Sequence, residues 1–314
     1  MRLIDVIHGP SRPTQVQLRH RRRRAAALAA AAGVALLLGA IVGAGGGAGR
    51  AGDALGAAGD VGWYGHLRTL AGAGTRSLDF EQRAQESRAI DRALRATPFV
   101  RMAGGQHRLV ALTFDDGPGP YTDGLIAELE RLRVPATFFV VGYQLPAFAP
   151  QLQREVDLGL AIGDHTADHR DLAQLSARDQ RREIVQDATE IRSYGAPYPR
   201  LFRPPYGSYD RTTEVLLARQ RMLSVLWSVD SQDYTRPGVD AIVRNVVEAV
   251  QPGSIVLMHD GGGDRSQTIA AIPRIVAQLR RAGYGFASVP RLLLENAPPQ
   301  SQELPSGFNS AGAG

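Results

Sequence analysis

The chain has 314 residues, 36 basic against 31 acidic side chains, a formal net charge of +5 and an apolar fraction of 44%. That composition supports one or two domains with a real core, and the absence of cysteine excludes disulfide scaffolds and thiolate-ligated zinc. Five arginines cluster between Arg19 and Arg24, around His20, while acids and bases mix elsewhere; this is not the basic patch on a folded domain that nucleic-acid binding needs, so no nucleic-acid partner is expected.

The N-terminal part, 1–49, reads as an address. Residues 1–18 are polar and irregular, the arginine cluster follows, and an uncharged, mostly apolar stretch runs from 25 to 49. Its best portion, 25–44, is long enough to span a bilayer as a hydrophobic helix, and the flanking arginines predict a cytoplasmic N-terminal end. The length favours a signal-anchor helix. A cleaved signal peptide, with small residues around 44–51 as the cleavage region, is the competing reading, and paired arginines also occur in twin-arginine signals. Each places the remainder outside the cytoplasm, either on the cell membrane with an extracytoplasmic domain or secreted. Residues 50–107 read as a flexible stem, Gly- and Ala-rich to about residue 76, with a short helix over 77–96 capped by Ser77. No chemistry is visible there, and a segment beginning at 97 is expected to be soluble alone.

From 108 to 296 short apolar runs alternate with amphipathic ones. Strands are predicted at 109–114, 136–141, 160–163, 201–203, 222–229, 254–258 and 285–289. Helices are predicted at 124–132 (capped by Thr122), 148–158, 176–194, 210–220, 239–250 and 267–282. This alternation predicts an α/β fold with parallel strands and right-handed crossovers, as a small closed barrel or an open doubly wound sheet. The tail, 297–314, is rich in Pro, Ser and Gly and is expected to be disordered.

The chemistry-bearing residues collect at one end of these strands. Thr113-Phe114-Asp115-Asp116-Gly117-Pro118 closes the first strand. Asp164, His165 and Asp168-His169 follow the third; Arg203-Pro204-Pro205-Tyr206-Gly207 the fourth; Asp230-Ser231-Gln232-Asp233-Tyr234 the fifth; and His259-Asp260 the sixth. Active sites of barrels and open α/β sheets form at the carboxyl ends of strands. The chain has 7 histidines, and those beyond His107, namely His165, His169 and His259, all fall at these ends. Two adjacent carboxylates repel unless one binds a cation, so Asp115 and Asp116 suggest a metal ligand beside a general base, against the plainer reading of an acidic turn. His165 and His169, four apart, could face one way from a helical turn. With Asp116 they would supply two nitrogens and one oxygen and leave a position open, a catalytic rather than structural zinc pattern.

These five motifs, in this order and at these separations, resemble those of the polysaccharide deacetylase family (NodB-homology domain, carbohydrate esterase family 4). The resemblance covers about 108–296. It implies a distorted (β/α)7 barrel and the removal of acetyl groups from N-acetylated glycans such as peptidoglycan or chitin-like oligomers. By the same resemblance Asp116, His165 and His169 would hold a divalent metal, Zn2+ by donor type, with Co2+ and Ni2+ also suited to such a site. Asp115 would be the general base and Arg203 would pair with it. The backbone N–H of Tyr206 would receive the developing oxyanion, His259 would be the general acid, Asp233 would orient it, and Leu257 would line the pocket for the acetyl methyl. Tyr234 departs from the family pattern, which commonly has Trp there as a wall of the sugar groove. Trp227 is expected to be core. The alternatives are an O-acetyl esterase on xylan-like glycans, a non-catalytic glycan-binding barrel, or a structural envelope protein whose strand-end polar residues are solvated turns.

Overall fold

A computed structural model of the chain describes residues 81–302. The apolar stretch at 25–44, the stem at 45–76, the start of the 77–96 helix and the tail beyond 302 lie outside the described residues. Among the described residues no helix is long and apolar enough to cross a membrane.

Residues 81–96 form helix α1. There follow β1 (Phe99–Val100), β2 (Leu109–Gly117), α2 (Thr122–Leu132), β3 (Ala136–Val140), α3 (Leu145–Asp157) and β4 (Ala161–Asp164). Helix α4 is composite, Ala177–Arg181 and Asp187–Ser193 joined by a π-helical turn, Arg182–Gln186. The chain continues through β5 (Leu201–Phe202), α5 (Arg211–Gln220), β6 (Leu223–Val225), β7 (Val229–Asp230), α6 (Val239–Ala249), β8 (Ile255–His259), α7 (Ser266–Arg281), β9 (Gly285–Phe286) and α8 (Val289–Glu295). The sheet runs β1-β6-β5-β4-β3-β2-β8-β7, with β9 also paired to β2, and every pairing between these strands is parallel.

The expected distorted (β/α)7 barrel takes the form of a curled, incompletely closed parallel sheet. The predicted strand 222–229 is two strands. β6 pairs with β5 and β1, whereas β7 pairs with β8. Between them Leu226 donates to Val100 O and Ser228 to Ile255 O, so the backbone leaves one edge of the sheet for the other. A continuous apolar run carries no mark of where its hydrogen-bond partners change. Likewise, the predicted strand 285–289 stops at Phe286 and helix α8 begins, with Ser288 accepting from Arg291 N at 3.4 Å and Pro290 in the first turn. Thr122, expected as a cap, is the first residue of α2; its hydroxyl accepts from Gly119 N at 2.8 Å and donates to Asp260.

Alternation along the strands divides the core. Leu112 and Phe114 of β2, Phe138 of β3 and Met258 of β8 pack outward on Leu125 and Leu129 of α2, Val246 of α6 and Ile275 of α7. On the other face Ala111, Phe139, Val225 and Ile255 cluster with Leu201 and Leu223. Thr113 and Asp115 follow Ala111 on that inner face, as Leu257 and His259 follow Ile255. Burial of each large side chain contributes roughly 1.5–3 kcal/mol.

The described end of the expected linker is built into this body. Ala89, Ile90 and Ala93 of α1 pack with Val100, Leu201, Leu223 and Leu292, and Arg200 reaches Asp91 at 2.6 Å and Ser87 at 3.0 Å. The first tail residues also dock: Gln302 Oε1 accepts from Arg101 N at 2.9 Å and from Met102 N at 3.1 Å. A chain begun at residue 97 therefore uncovers part of the core. Relative to one begun at 77, it should lose about 3–5 kcal/mol of unfolding free energy, the worth of one buried Ile and two Ala contacts, measured by urea titration. Equal stabilities would show that α1 is a dispensable appendage.

Candidate active site

Asp115 and Asp116 both reach the same site because the chain breaks its own alternation between them. Strand β2 pairs Asp115 with Phe139 but Gly117 with Val140, so Asp116 is an extra, bulged residue, with φ 71°. A left-handed non-glycine residue costs of order 1 kcal/mol or more, and the bulge re-aims its side chain. The neighbouring backbone closes on it: Asp260 N and Gly261 N both donate to Asp115 O, at 3.1 and 3.3 Å. A Cβ at Gly261 would collide with the Asp116 carbonyl, so that position needs glycine.

Arg203, fully buried, stands beneath. Its Nη1 donates to Asp115 Oδ1 at 2.7 Å and to Thr113 Oγ1 at 2.8 Å, Nε to Val225 O at 3.0 Å and Nη2 to Leu226 O at 3.2 Å. Its guanidinium lies 4.1 Å above the Phe139 ring. Burial lowers the pKa of Arg203 while the Asp115 charge opposes that shift.

The carbonyl of Arg203 lies 2.6 Å from His165 Nδ1. A carbonyl only accepts, so Nδ1 carries the proton and neutral His165 keeps a lone pair on Nε2. Burial pushes the pKa of this ring down, against the nearby Asp115 and Asp116 charges, which favours the neutral, ligating form. Nε2 of His165 faces Asp116 Oδ1 at 3.6 Å and Asp115 Oδ2 at 3.7 Å, and Nε2 of His169 lies 3.1 Å from Asp116 Oδ1. The predicted helical turn under the two histidines is absent: Thr166 and His169 have φ 73° and 53°, and the segment is a loop.

Ligand atoms of Asp116, His165 and His169 all lie within 4.8 Å of one another. Asp116 Oδ1 is buried and, although His169 Nε2 lies near, receives no well-directed hydrogen bond. Burial pushes its carboxyl pKa up, but the imidazoles of His169, His165 and His259 outweigh that and hold it well below the usual range. An orphaned carboxylate oxygen beside two imidazole nitrogens suits a divalent cation that takes N and O donors.

In register with Asp115 across the β2–β8 ladder stands His259, with Asp233 as its partner. Asp233 Oδ1 lies 2.7 Å from His259 Nδ1, and Oδ2 accepts from His259 N at 2.9 Å and from Thr268 Oγ1 at 2.7 Å. Burial pulls the His259 pKa down, but the hydrogen bond and charge of Asp233 win and the net shift is upward. Asp233 is lowered in turn, His259 outweighing its burial. Tyr234, about half exposed, sets its ring edge-on to His259 at 5.4 Å and bonds Asp230 Oδ2 at 3.1 Å. Tyr206, 69% exposed, has φ 59° and meets His169 edge-on at 4.9 Å. Leu257 is buried in β8, opposite Thr113 and two residues before His259, and so shares the face of that histidine. Trp227 is half-buried, 5.7 Å from the Arg203 guanidinium.

The fold thus gathers nine of the ten predicted site residues at the carboxyl ends of the strands, with Leu257 in the middle of β8. Sequence reasoning missed Thr113 and Thr268, the hydroxyl partners of Arg203 and Asp233, and Asp260, whose carboxylate takes the Thr122 hydroxyl. Thr268 lies inside an ordinary amphipathic helix and carries no local signal. Asp260 stood beside a predicted histidine and could have been read as a brace.

Two outcomes follow from these pairs. Arg203→Ala leaves Asp115 buried without its partner and should cost about 3–5 kcal/mol in denaturant titration; a smaller cost in the Asp115→Ala background would confirm the coupling. For His259, the folded pKa lies above 6.5, so its contribution to stability is complete below that value and is lost as pH rises through the folded pKa. For Asp233, lowered from 3.8, the contribution is present above 3.8 and is lost as pH falls through the folded pKa. Asp233→Asn should therefore flatten the fall in unfolding free energy as pH rises above about 6.5. An unchanged slope would separate His259 from Asp233.

Comparison with known proteins finds relatives of this chain. A family model described as polysaccharide deacetylase matches residues 103–223. A chitooligosaccharide deacetylase of Bradyrhizobium sp. (strain ANU 289) is 38% identical over 199 residues, 59% of this chain and 90% of that protein. A peptidoglycan-N-acetylglucosamine deacetylase of Bacillus cereus is 37% identical over 192 residues, 59% of this chain and 88% of its own. Among solved structures, a peptidoglycan N-acetylglucosamine deacetylase in complex with 4-naphthalen-1-yl-N-oxidanyl-benzamide superposes with TM-score 0.62 at 28% identity, covering 67% of this chain and 97% of the other.

Proposed function

Because the chain belongs to the polysaccharide deacetylase family, an enzyme family, we propose that it hydrolyses the acetamide of N-acetylated glycans of the peptidoglycan or chitin-oligomer class. The observation that carries this reading is one cluster of three candidate cation ligands beside two ion pairs, Asp115–Arg203 and Asp233–His259.

Asp116, His165 and His169 would hold the cation, Zn2+ on donor chemistry. When bound, such an ion supplies Lewis acidity toward water and toward an acyl oxygen. The chain's own residues do the rest. Asp115, fixed by Arg203, accepts the proton of the attacking water as its oxygen bonds to the acetyl carbon. The backbone N–H of Tyr206 is the donor for the carbonyl oxygen as it gains negative charge. As the carbon–nitrogen bond breaks, His259 gives its proton to the departing amine. Asp233 keeps the acidic form of that histidine available toward neutral pH, and the products are acetate and a free amino sugar. Leu257 is proposed to bound the space for the acetyl methyl, and the exposed rings of Tyr206 and Tyr234 to flank the sugar, Tyr234 offering a flat face with a polar tip.

The arginine cluster and the apolar stretch at 25–44 support an extracytoplasmic location, tethered or released, where such glycans occur.

Acetate release from N-acetylglucosamine oligomers, compared with release from acetylated xylan, tests the reading. Asp115→Asn should lower turnover by about 10²-fold or more while the protein keeps its metal, and loss of metal as well would overturn the division of labour between the two aspartates. His259→Ala should slow amide cleavage more than cleavage of an activated ester, whose leaving group needs less protonation. Hydrolysis of the ester alone by the wild type would assign the site to O-acetyl groups. Hydrolysis of neither would leave a binding module.

A further inference from the structure

Two histidines four residues apart are held together by a helix when they stand on one. Here they do not, since Thr166 and His169 are left-handed. Something else must hold the bite. The backbone amides of the loop account for it. His165 N donates to Val140 O at 2.8 Å, Thr166 N to Asp164 Oδ1 at 2.8 Å and His169 N to Thr166 Oγ1 at 3.0 Å. The two amides between, Ala167 N and Asp168 N, both go to one residue of α4: Ala167 N to the carbonyl of Glu183 at 3.0 Å, and Asp168 N to its Oε2 at 2.9 Å.

Glu183 is fully buried and sits in the π-helical turn of α4. A π turn closes its hydrogen bonds over five residues rather than four, and such turns recur at functional sites. Nothing in the apolar period of the predicted helix marks it. The other oxygen, Oε1, has no hydrogen bond and faces the guanidiniums of Arg182 at 3.6 Å and Arg170 at 3.8 Å. A buried carboxylate that spends one oxygen on a loop amide makes a charge-assisted bond, about twice as strong as a neutral one. Groups that orient ligands are worth much of a metal site's affinity.

The geometry points to Glu183 as a positioning residue of the metal site: it clamps the backbone between His165 and His169 and so sets the separation and direction of their imidazoles. This rests on the metal-site reading above.

The test is the Zn2+ affinity of the full chain, by competition with a chromophoric chelator, beside the melting temperature of the metal-free protein. Glu183→Ala should weaken Zn2+ binding about tenfold or more, and Glu183→Gln, which keeps an oxygen for Asp168 N, should restore most of it. Glu183→Asp keeps the charge but shortens the reach, so it should bind as weakly as Glu183→Ala, and it carries the comparison should the alanine variant not fold. Ile184→Ala is the control. Ile184 is buried in the same turn, and its loss should lower the melting temperature and leave Zn2+ affinity at the wild-type value. Wild-type affinity in Glu183→Asp, or equal losses in Glu183→Ala and Ile184→Ala, would overturn the positioning role while the wild type still binds Zn2+ and releases acetate. A wild type that binds no Zn2+ would overturn the metal-site reading and this inference with it.

Discussion

The Arg203 side chain is the point from which the site is held. A guanidinium with no exposure forfeits its hydration, and that loss is recovered only if its N–H groups find partners and its charge finds an opposite one. Arg203 finds both, with Asp115 as the counter-charge, Thr113 as a second side-chain acceptor, and two backbone oxygens where β6 gives way to the crossing toward β7. Its own carbonyl then takes the Nδ1 proton of His165. One residue thereby orients the proposed base through its side chain and a proposed ligand through its backbone. It also ties β2, β5 and the β6–β7 crossing together in the region where the barrel is not closed by a ladder.

Around that anchor the two aspartates separate by backbone geometry rather than chemistry. Asp115 stays in register and takes the guanidinium, whereas Asp116 bulges out and meets the imidazoles. Like charges side by side on a chain would ordinarily repel, and each is instead given a different cationic or ligating neighbour. The Asp260–Gly261 backbone, pressed against this bulge, belongs to the same strand-end segment that carries His259. The His259 side of the site is therefore built onto the Asp115 side, and Thr268 from α7 holds Asp233 through its hydroxyl. The proposed base, ligands and acid are parts of one hydrogen-bonded body, which suits a reaction needing three groups within about an ångström of fixed positions.

Strand ends, polar clusters and the order of the five motifs were legible in the sequence because they are local. An apolar run followed by Asp-Asp-Gly-Pro or by His-Asp states its own place, and alternation of strands and helices states parallel connectivity. The candidate residues Asp115, Asp116, His165, His169, Arg203, Asp233 and His259 could be named for that reason. The same locality misled where a run was continuous. Residues 222–229 read as one strand and are two, because a change of partner leaves no trace in hydropathy. Residues 165–169 read as a helical turn because a spacing of four is equally compatible with a loop.

What the sequence determined by itself was the list of candidate groups and the end of the fold where they gather. Tertiary structure alone decided how they are held. The bulge at Asp116 is set by the register between β2 and β3, the tautomer of His165 by a carbonyl 38 residues away, and the clamp on the histidine loop by a π turn in α4. Each of these is a hydrogen bond between segments distant in the chain. Such bonds depend on geometry at the scale of tenths of an ångström, whereas hydrophobic pattern and residue type report only which face a side chain takes and what it can do there.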